Sequence, residues 1–150
     1  MEENVRNNSA WNQRWFVVHH GPVPFTIDVF TREVEYTLHR INAAKCNESA
    51  WNYLRGLLQR TPTDIVYSDI KNSILVRLKE DCASVDEQEN TCRHLYALTA
   101  DLCEQKGDIE ECLFGEQLMM KLAEHLDCIR QKYWRSRLDR LRCLLTNNVG

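Results

Sequence analysis

Apolar positions recur at helical spacing along nearly the whole chain. Trp11, Trp15 and Val18 fall at i, i+4, i+7, and Trp51, Leu54 and Leu58 at i, i+3, i+7, so each set occupies one helical face. Between them Ile27, Phe30, Val34, Leu38 and Ile41 form a longer stripe from Thr26 to Ala43. Tyr67, Ile70, Ile74 and Leu78 do the same from Asp64 to Glu80. Three further stripes follow: Cys92, Leu95, Thr99 and Leu102; Cys112, Met119, Leu122 and Leu126; and Ile129, Trp134, Leu138, Leu141 and Leu145. No segment shows a convincing strand pattern. An all-α fold of about seven helices is predicted.

The breaks agree. "HHGPVPF" ends the first helix with Gly21, Pro22 and Pro24, and "RTPTD" separates the third from the fourth, with Thr61 as a cap and Pro62 at the first helical position. Asn7 to Ser9 and Asn47 to Ser49 read as N-caps, whose side chains accept from free N–H groups. "SVDE" at Ser84–Glu87 reads as a capping box, Gly107 as a helix stop, Asp108–Glu111 as the next start and Asp127 as the cap of the last helix. The tail "TNNVG" is expected to fray.

The motif N-x-S-A-W-N begins at Asn7 and again at Asn47. The unit is therefore a helix pair of about 40 residues used twice, the period of an α-solenoid. The expected architecture is one domain over residues 1–150, a right-handed α–α superhelix of hairpins. Its repeats would lie at 4–44 and 45–82, with divergent helices over 84–145. In this scheme Trp11 and Trp51 pack stacked helices, and Asn12 and Asn52 bridge to backbone in the neighbouring pair.

Composition narrows the function. The net charge is −3, so no overall field draws the chain to nucleic acid or anionic lipid. No apolar run approaches the ~20 residues of a membrane span, and "MEENVRNNSA" has no apolar signal region. Seven cysteines with no C-x-x-C pair argue against a disulfide framework and a zinc site. They read as reduced thiols in a cytoplasmic protein, and the N-x-S sequons at Asn7 and Asn47 as helix starts rather than glycosylation sites.

His19 and His20 read as loop residues, and His94 and His125 have no partner at ligand spacing. The basic segment from Arg130 to Arg142 and the ten acids between Glu80 and Glu111 read as solvated faces. No complete catalytic constellation is present. These residues describe a helical-repeat protein that binds along one face.

"VRNNSAWNQRWFVV" (Val5 to Val18), "REVEYTLHRI" (Arg32 to Ile41) and "NESAWNYLRGLL" (Asn47 to Leu58) resemble the α subunit of protein farnesyltransferase and type I geranylgeranyltransferase. "IRQKYWRSRL" (Ile129 to Leu138) is similar to that subunit's final helix. The resemblance implies a heterodimer in which a crescent of helical hairpins wraps a catalytic β subunit. Zinc and magnesium would belong to the β subunit or the complex, with none bound by this chain. The substrates would be an isoprenoid diphosphate and the cysteine of a C-terminal C-a-a-X motif.

In that family, substrate-facing side chains stand five, three and two residues before the Trp of earlier repeats, as Lys, Tyr and Gln or His. Here Arg6, Asn8 and Ser9 take those places in one repeat, and Cys46, Glu48 and Ser49 in the other. No catalytic residue is assigned, and the chain is expected to be the C-terminal portion of an α subunit. Without its upstream neighbour the Trp11 helix would expose apolar surface. Asn12, Arg14, Asn52, Tyr53 and Arg55 are the candidate partner-binding residues. Asn7, Ser9, Trp11, Asn47, Ser49 and Trp51 form the structural motif. A non-catalytic repeat scaffold and the α subunit of Rab geranylgeranyltransferase are the alternatives.

Overall fold

The computed structural model describes the backbone of residues 2–60, 65–84 and 93–149, and the side chains of 8–60, 65–83 and 93–147. Among these residues there are seven α-helices and no strand: α1 (Glu2–His20), α2 (Ile27–Ala43), α3 (Glu48–Gln59), α4 (Ile65–Ser84), α5 (Arg93–Lys106), α6 (Ile109–Lys121) and α7 (Gln131–Val149). The chain divides into two compact units, Met1–Asn72 and Ser73–Gly150, with the division inside α4. The proposed roles of Thr61, Pro62, Cys92 and the capping box after Ser84 lie outside the described residues.

In the first unit the two copies of N-x-S-A-W-N differ locally. Asn47 caps α3, its Oδ1 accepting from Ser49 N–H at 3.2 Å. Asn7 and Ser9 lie inside α1 rather than at its start: the helix begins at Glu2, because the helix-favouring Glu2, Glu3 and Arg6 carry it upstream of the motif. Thr26 caps α2, accepting from Val29 N–H. Phe30, Val34, Leu38 and Ile41 of α2 and Trp51, Leu54, Leu57 and Leu58 of α3 are buried with Trp11 of α1. Full burial of each such aliphatic or Phe side chain is worth about 1.5–3 kcal/mol.

Trp51 Nε1–H donates to the Lys45 carbonyl at 2.7 Å, so its polar edge is satisfied inside the core. A methyl group at Gly56 would stand 3.1 Å from Trp15 Cζ3, so the glycine lets α1 approach α3 closely. Phe16 and Val17 of α1 are exposed. His19 and His20 close α1 rather than lying in a loop, and His19 stacks between Trp15 and Phe25, with ring centroids 3.8 and 4.7 Å away. The helix persists through them because the Gly–Pro break begins only at Gly21.

In the second unit α5 packs on α6 and α6 on α7. Leu95, Leu98, Leu102, Cys103, Cys112, Leu118, Met119, Leu122, Trp134, Leu138 and Leu141 form its core. Gly107 leaves α5 at φ +79°, a conformation an L side chain rarely adopts. After α6 the chain makes a π-helical turn (Leu122–Leu126) and a 3-10 turn (Cys128–Arg130). These shift the helical register, so Ile129, expected on the core face, is 96% exposed.

Asp127 also departs from expectation. It makes no cap hydrogen bond; its buried carboxylate accepts from Trp134 Nε1–H at 2.9 Å and pairs with Arg130 at 3.1 Å. Trp134→Phe removes a donor to a buried acceptor and should cost about 1–3 kcal/mol in urea unfolding. A loss below ~0.5 kcal/mol would show that Arg130 or water satisfies Asp127 alone.

The basic run is only partly a solvated face. Arg137 binds Asp101 and Glu104, Arg140 reaches Glu104 at 3.3 Å and Arg142 reaches Glu116 at 3.8 Å, while Lys132 and Arg135 are exposed. Lys79 pairs with Glu111 at 3.0 Å. Acids and bases that looked like separate runs along the chain meet across packed helices.

Burial pushes the Cys82 thiol up to about 11 and the Cys103 thiol up to about 12. Cys46, Cys128 and Cys143 are exposed. At pH 8 a thiol reagent should label these three rapidly, while Cys82, Cys103 and Cys112 react at least ~100-fold more slowly until the chain unfolds. Rapid native labelling of Cys103, read by mass spectrometry, would contradict its burial.

Candidate functional site

The first unit concentrates its polar chemistry around Glu33. This carboxylate sits on the buried face of α2, only 1% exposed. Arg14 of α1 grips it with Nε to Oε1 at 2.8 Å and Nη2 to Oε2 at 2.7 Å, a bidentate pair. The Tyr53 hydroxyl of α3 donates to Oε1 at 2.6 Å. A buried carboxylate is tolerated only when paired and hydrogen-bonded, and here three helices each supply one member of the network.

The Arg14 guanidinium also lies 3.6 Å from the centroid of the Tyr36 ring. Burial alone lowers its pKa, but the hydrogen bonds and charge of Glu33 outweigh that and the net shift is upward. Burial, then the bond to Glu33 and its charge, push the Tyr53 phenol well above its ordinary value. A raised acid contributes stability that is full below the unfolded pKa of about 10 and is lost as pH rises through the folded value. Stability should therefore fall above about pH 10 more steeply in the wild type than in Tyr53→Phe, read from urea midpoints. Parallel profiles would remove Tyr53 as the cause.

Beside this network, α1 and α3 border an open groove of about 330 Å³. Trp11, Trp15, Tyr53 and Gly56 contribute its apolar and aromatic part, and Asn8, Asn12, Ser49, Asn52, Gln59 and Arg60 its polar part. Trp11 and Tyr53 rings lie 4.9 Å apart, and Trp15 meets Tyr53 edge-on at 5.6 Å. Arg60 stands 5.4 Å over Trp15. A smaller hollow of about 270 Å³ on α1 and α2 is lined by Arg14, Tyr36 and Arg40 among others.

The residues singled out from the sequence separate here. Asn12 and Asn52 are exposed and share the groove, and neither side chain bonds to a described residue, so the expected bridge to a neighbouring pair is not seen among the described residues. Asparagine in a helix interior costs up to about 0.7 kcal/mol relative to Ala, so helix stability gives no reason for either. Tyr53 is buried and committed to Glu33 rather than facing outward. Arg14 is half-buried in the same network. Arg55 is half-buried and lies outside the groove lining.

Glu33 escaped the sequence reading. Its signal was present: it follows Phe30 by three positions and precedes Val34, so it falls on the apolar stripe. Among the described residues no group of three or more His, Cys, Asp or Glu side chains could hold a metal ion. No described helix is long and apolar enough to cross a membrane.

Two Trp helices, α1 and α3, each tied to Glu33 of α2 and sharing a groove, define an α-helical-repeat protein. A family model described as "Protein prenyltransferase alpha subunit repeat" matches residues 1–21 and 30–61. The chain is 29% identical over 130 residues to the protein farnesyltransferase/geranylgeranyltransferase type-1 subunit alpha of Dictyostelium discoideum, covering 86% of this chain and 38% of that protein. It is 28% identical over 155 residues to the subunit of the same name from Pisum sativum, covering 94% and 46%. For that of Solanum lycopersicum the figures are 31% over 146 residues, 89% and 41%. The chain is homologous to these α subunits and carries the repeat of the prenyltransferase α-subunit family. It spans less than half the length of the curated relatives it matches.

Proposed function

We infer that this chain is part of the α subunit of a heterodimeric protein prenyltransferase of the farnesyltransferase/geranylgeranyltransferase type I kind. It acts in the cytoplasm as a helical scaffold for a catalytic β subunit. The complex would join a farnesyl or geranylgeranyl group to the cysteine of a C-terminal C-a-a-X motif. Zinc and magnesium would be held by the β subunit or the complex. The observation that carries this reading is the pair of N-x-S-A-W-N helices, adjacent in space and matched by the family repeat. The chain's part is shape: Arg6, Asn8 and Ser9, and Cys46, Glu48 and Ser49, stand where the family places Lys, Tyr and Gln or His near substrate.

Those same substitutions favour a second reading, a repeat scaffold that keeps the fold without the enzyme. Co-expression with a farnesyltransferase β subunit separates the two. A 1:1 complex on size-exclusion chromatography supports the subunit reading, and transfer of isoprenoid to a C-a-a-X peptide by that complex extends it to activity. A complex without turnover supports a truncated, inactive form of the subunit, and no complex removes the subunit reading for this chain and leaves the repeat scaffold.

A further inference from the structure

We propose that Tyr53 is a redox-active tyrosine: a hole formed on Trp15 or Trp11 moves to its phenol as the phenolic proton passes to Glu33. Tyr53 touches both indoles. Its ring centroid lies 4.9 Å from that of Trp11 and 5.6 Å from that of Trp15. Electrons cross between rings in such contact without a bridging cofactor. Trp15 is half-buried and borders the open groove, so it meets solvent, whereas Tyr53 is buried.

The proton decides where the hole rests. A phenol that loses an electron becomes a very strong acid, so it is oxidised readily only where a base takes its proton at the same moment. The Tyr53 hydroxyl donates to Glu33 Oε1 at 2.6 Å, within reach of direct proton transfer. An amide carbonyl is too weak a base for this, and a nearby cation opposes the positive charge of the hole. The Tyr96 hydroxyl donates to the Cys82 carbonyl at 3.4 Å, with Lys121 5.9 Å from its ring centroid. The Tyr133 hydroxyl accepts from Arg137, and Arg14 lies 3.6 Å from the Tyr36 centroid. Arg14 also stands beside Tyr53, but there Glu33 matches its charge. Tyr53 thus joins a carboxylate acceptor to two indole contacts.

A one-electron oxidant of the carbonate-radical class takes an electron from Trp15 and leaves an indole radical cation. Tyr53 refills that indole, its proton moves to Glu33 Oε1, and a neutral tyrosyl radical stands beside a protonated carboxyl. A thiolate or ascorbate then supplies one electron through the same indoles, and the proton returns from Glu33 to Tyr53. A hole left on an indole ends in irreversible ring oxidation, whereas one held on Tyr53 can be refilled. The site is a repairable sink for one-electron oxidants.

The test is photo-oxidation of the full 150-residue chain by flash-generated ruthenium(III) tris-bipyridine, read by transient absorption and electron paramagnetic resonance. The wild type should show an indole radical that decays into a tyrosyl radical, more slowly in heavy water. Tyr53→Phe, its fold checked by circular dichroism, should lose the tyrosyl signal and lengthen the indole one, and Tyr133→Phe should change neither. Glu33→Gln keeps an acceptor but supplies no base, so tyrosyl formation should slow and come to depend on buffer base. Fluorotyrosine at position 53 keeps the hydroxyl and should alter the hyperfine pattern, which locates the radical even where Tyr53→Phe does not fold. A tyrosyl signal that survives in Tyr53→Phe or is unaltered by the fluorotyrosine overturns the proposal, as does a Glu33→Gln variant that forms the radical as fast as the wild type.

Discussion

Glu33→Ala should destabilise the first unit by about 3–5 kcal/mol. The carboxylate is buried, gripped at both oxygens by Arg14 and bonded by Tyr53. Its removal leaves a half-buried guanidinium without its counter-charge and a buried phenol without its acceptor, and opens a void between three helices. Glu33→Gln should cost less, because an amide oxygen still accepts from Tyr53. The pair taken together behaves differently. Arg14→Met/Glu33→Leu should come within about 1–2 kcal/mol of the wild type, since replacing a buried ion pair by packed apolar groups is often near neutral. Urea unfolding of the three variants measures this. A Glu33→Ala loss below about 1 kcal/mol would mean that water reaches the site and the pair is a surface one.

Trp51→Ala is expected to cost about 3–5 kcal/mol, comparable to the loss of Glu33 but for a different reason. Trp51 is 4% exposed, and its indole N–H satisfies the Lys45 carbonyl at the entry to α3. Truncation removes apolar burial, leaves a cavity between packed helices and releases the turn that leads to the Asn47 cap. Trp51→Phe keeps much of the volume and loses the hydrogen bond, so about 1–2 kcal/mol is expected. The matching change at Trp11 should also disturb the groove, because Trp11 lines it and lies against Tyr53 there. Equal effects of Trp11→Ala and Trp51→Ala on assembly would argue that only the fold matters. A larger loss at Trp11 would trace to the groove.

Much of this architecture was legible along the chain because burial imposes a period. The stripes through Phe30, Val34, Leu38 and Ile41 and through Trp51, Leu54 and Leu58 can be satisfied only by helices with one face inward, and those residues are buried. Gly107 likewise announces a helix end, because a positive φ suits a residue without Cβ. The misses share a cause. Asn7 looks like a cap as Asn47 does, yet the residues before it are themselves helical, and a cap exists only where a helix starts. Ile129 looks like a core position, but the π and 3-10 turns before α7 consume the register that the period assumes.

The sequence by itself determined the helices, their pairing into a repeat and the family resemblance. Each follows from local rules: apolar period, turn residues and a repeated six-residue motif. Only the tertiary structure decided which side chains meet. Glu33 is an ordinary helical acid until α1 and α3 bring Arg14 and Tyr53 to it, and the acids of α5 and α6 are a charged run until α7 lays Arg137, Arg140 and Arg142 against them. Asn12 and Asn52 stand forty residues apart in the chain and share one groove in space. Contacts between distant residues depend on helix packing, and helical period carries no record of which face meets which neighbour.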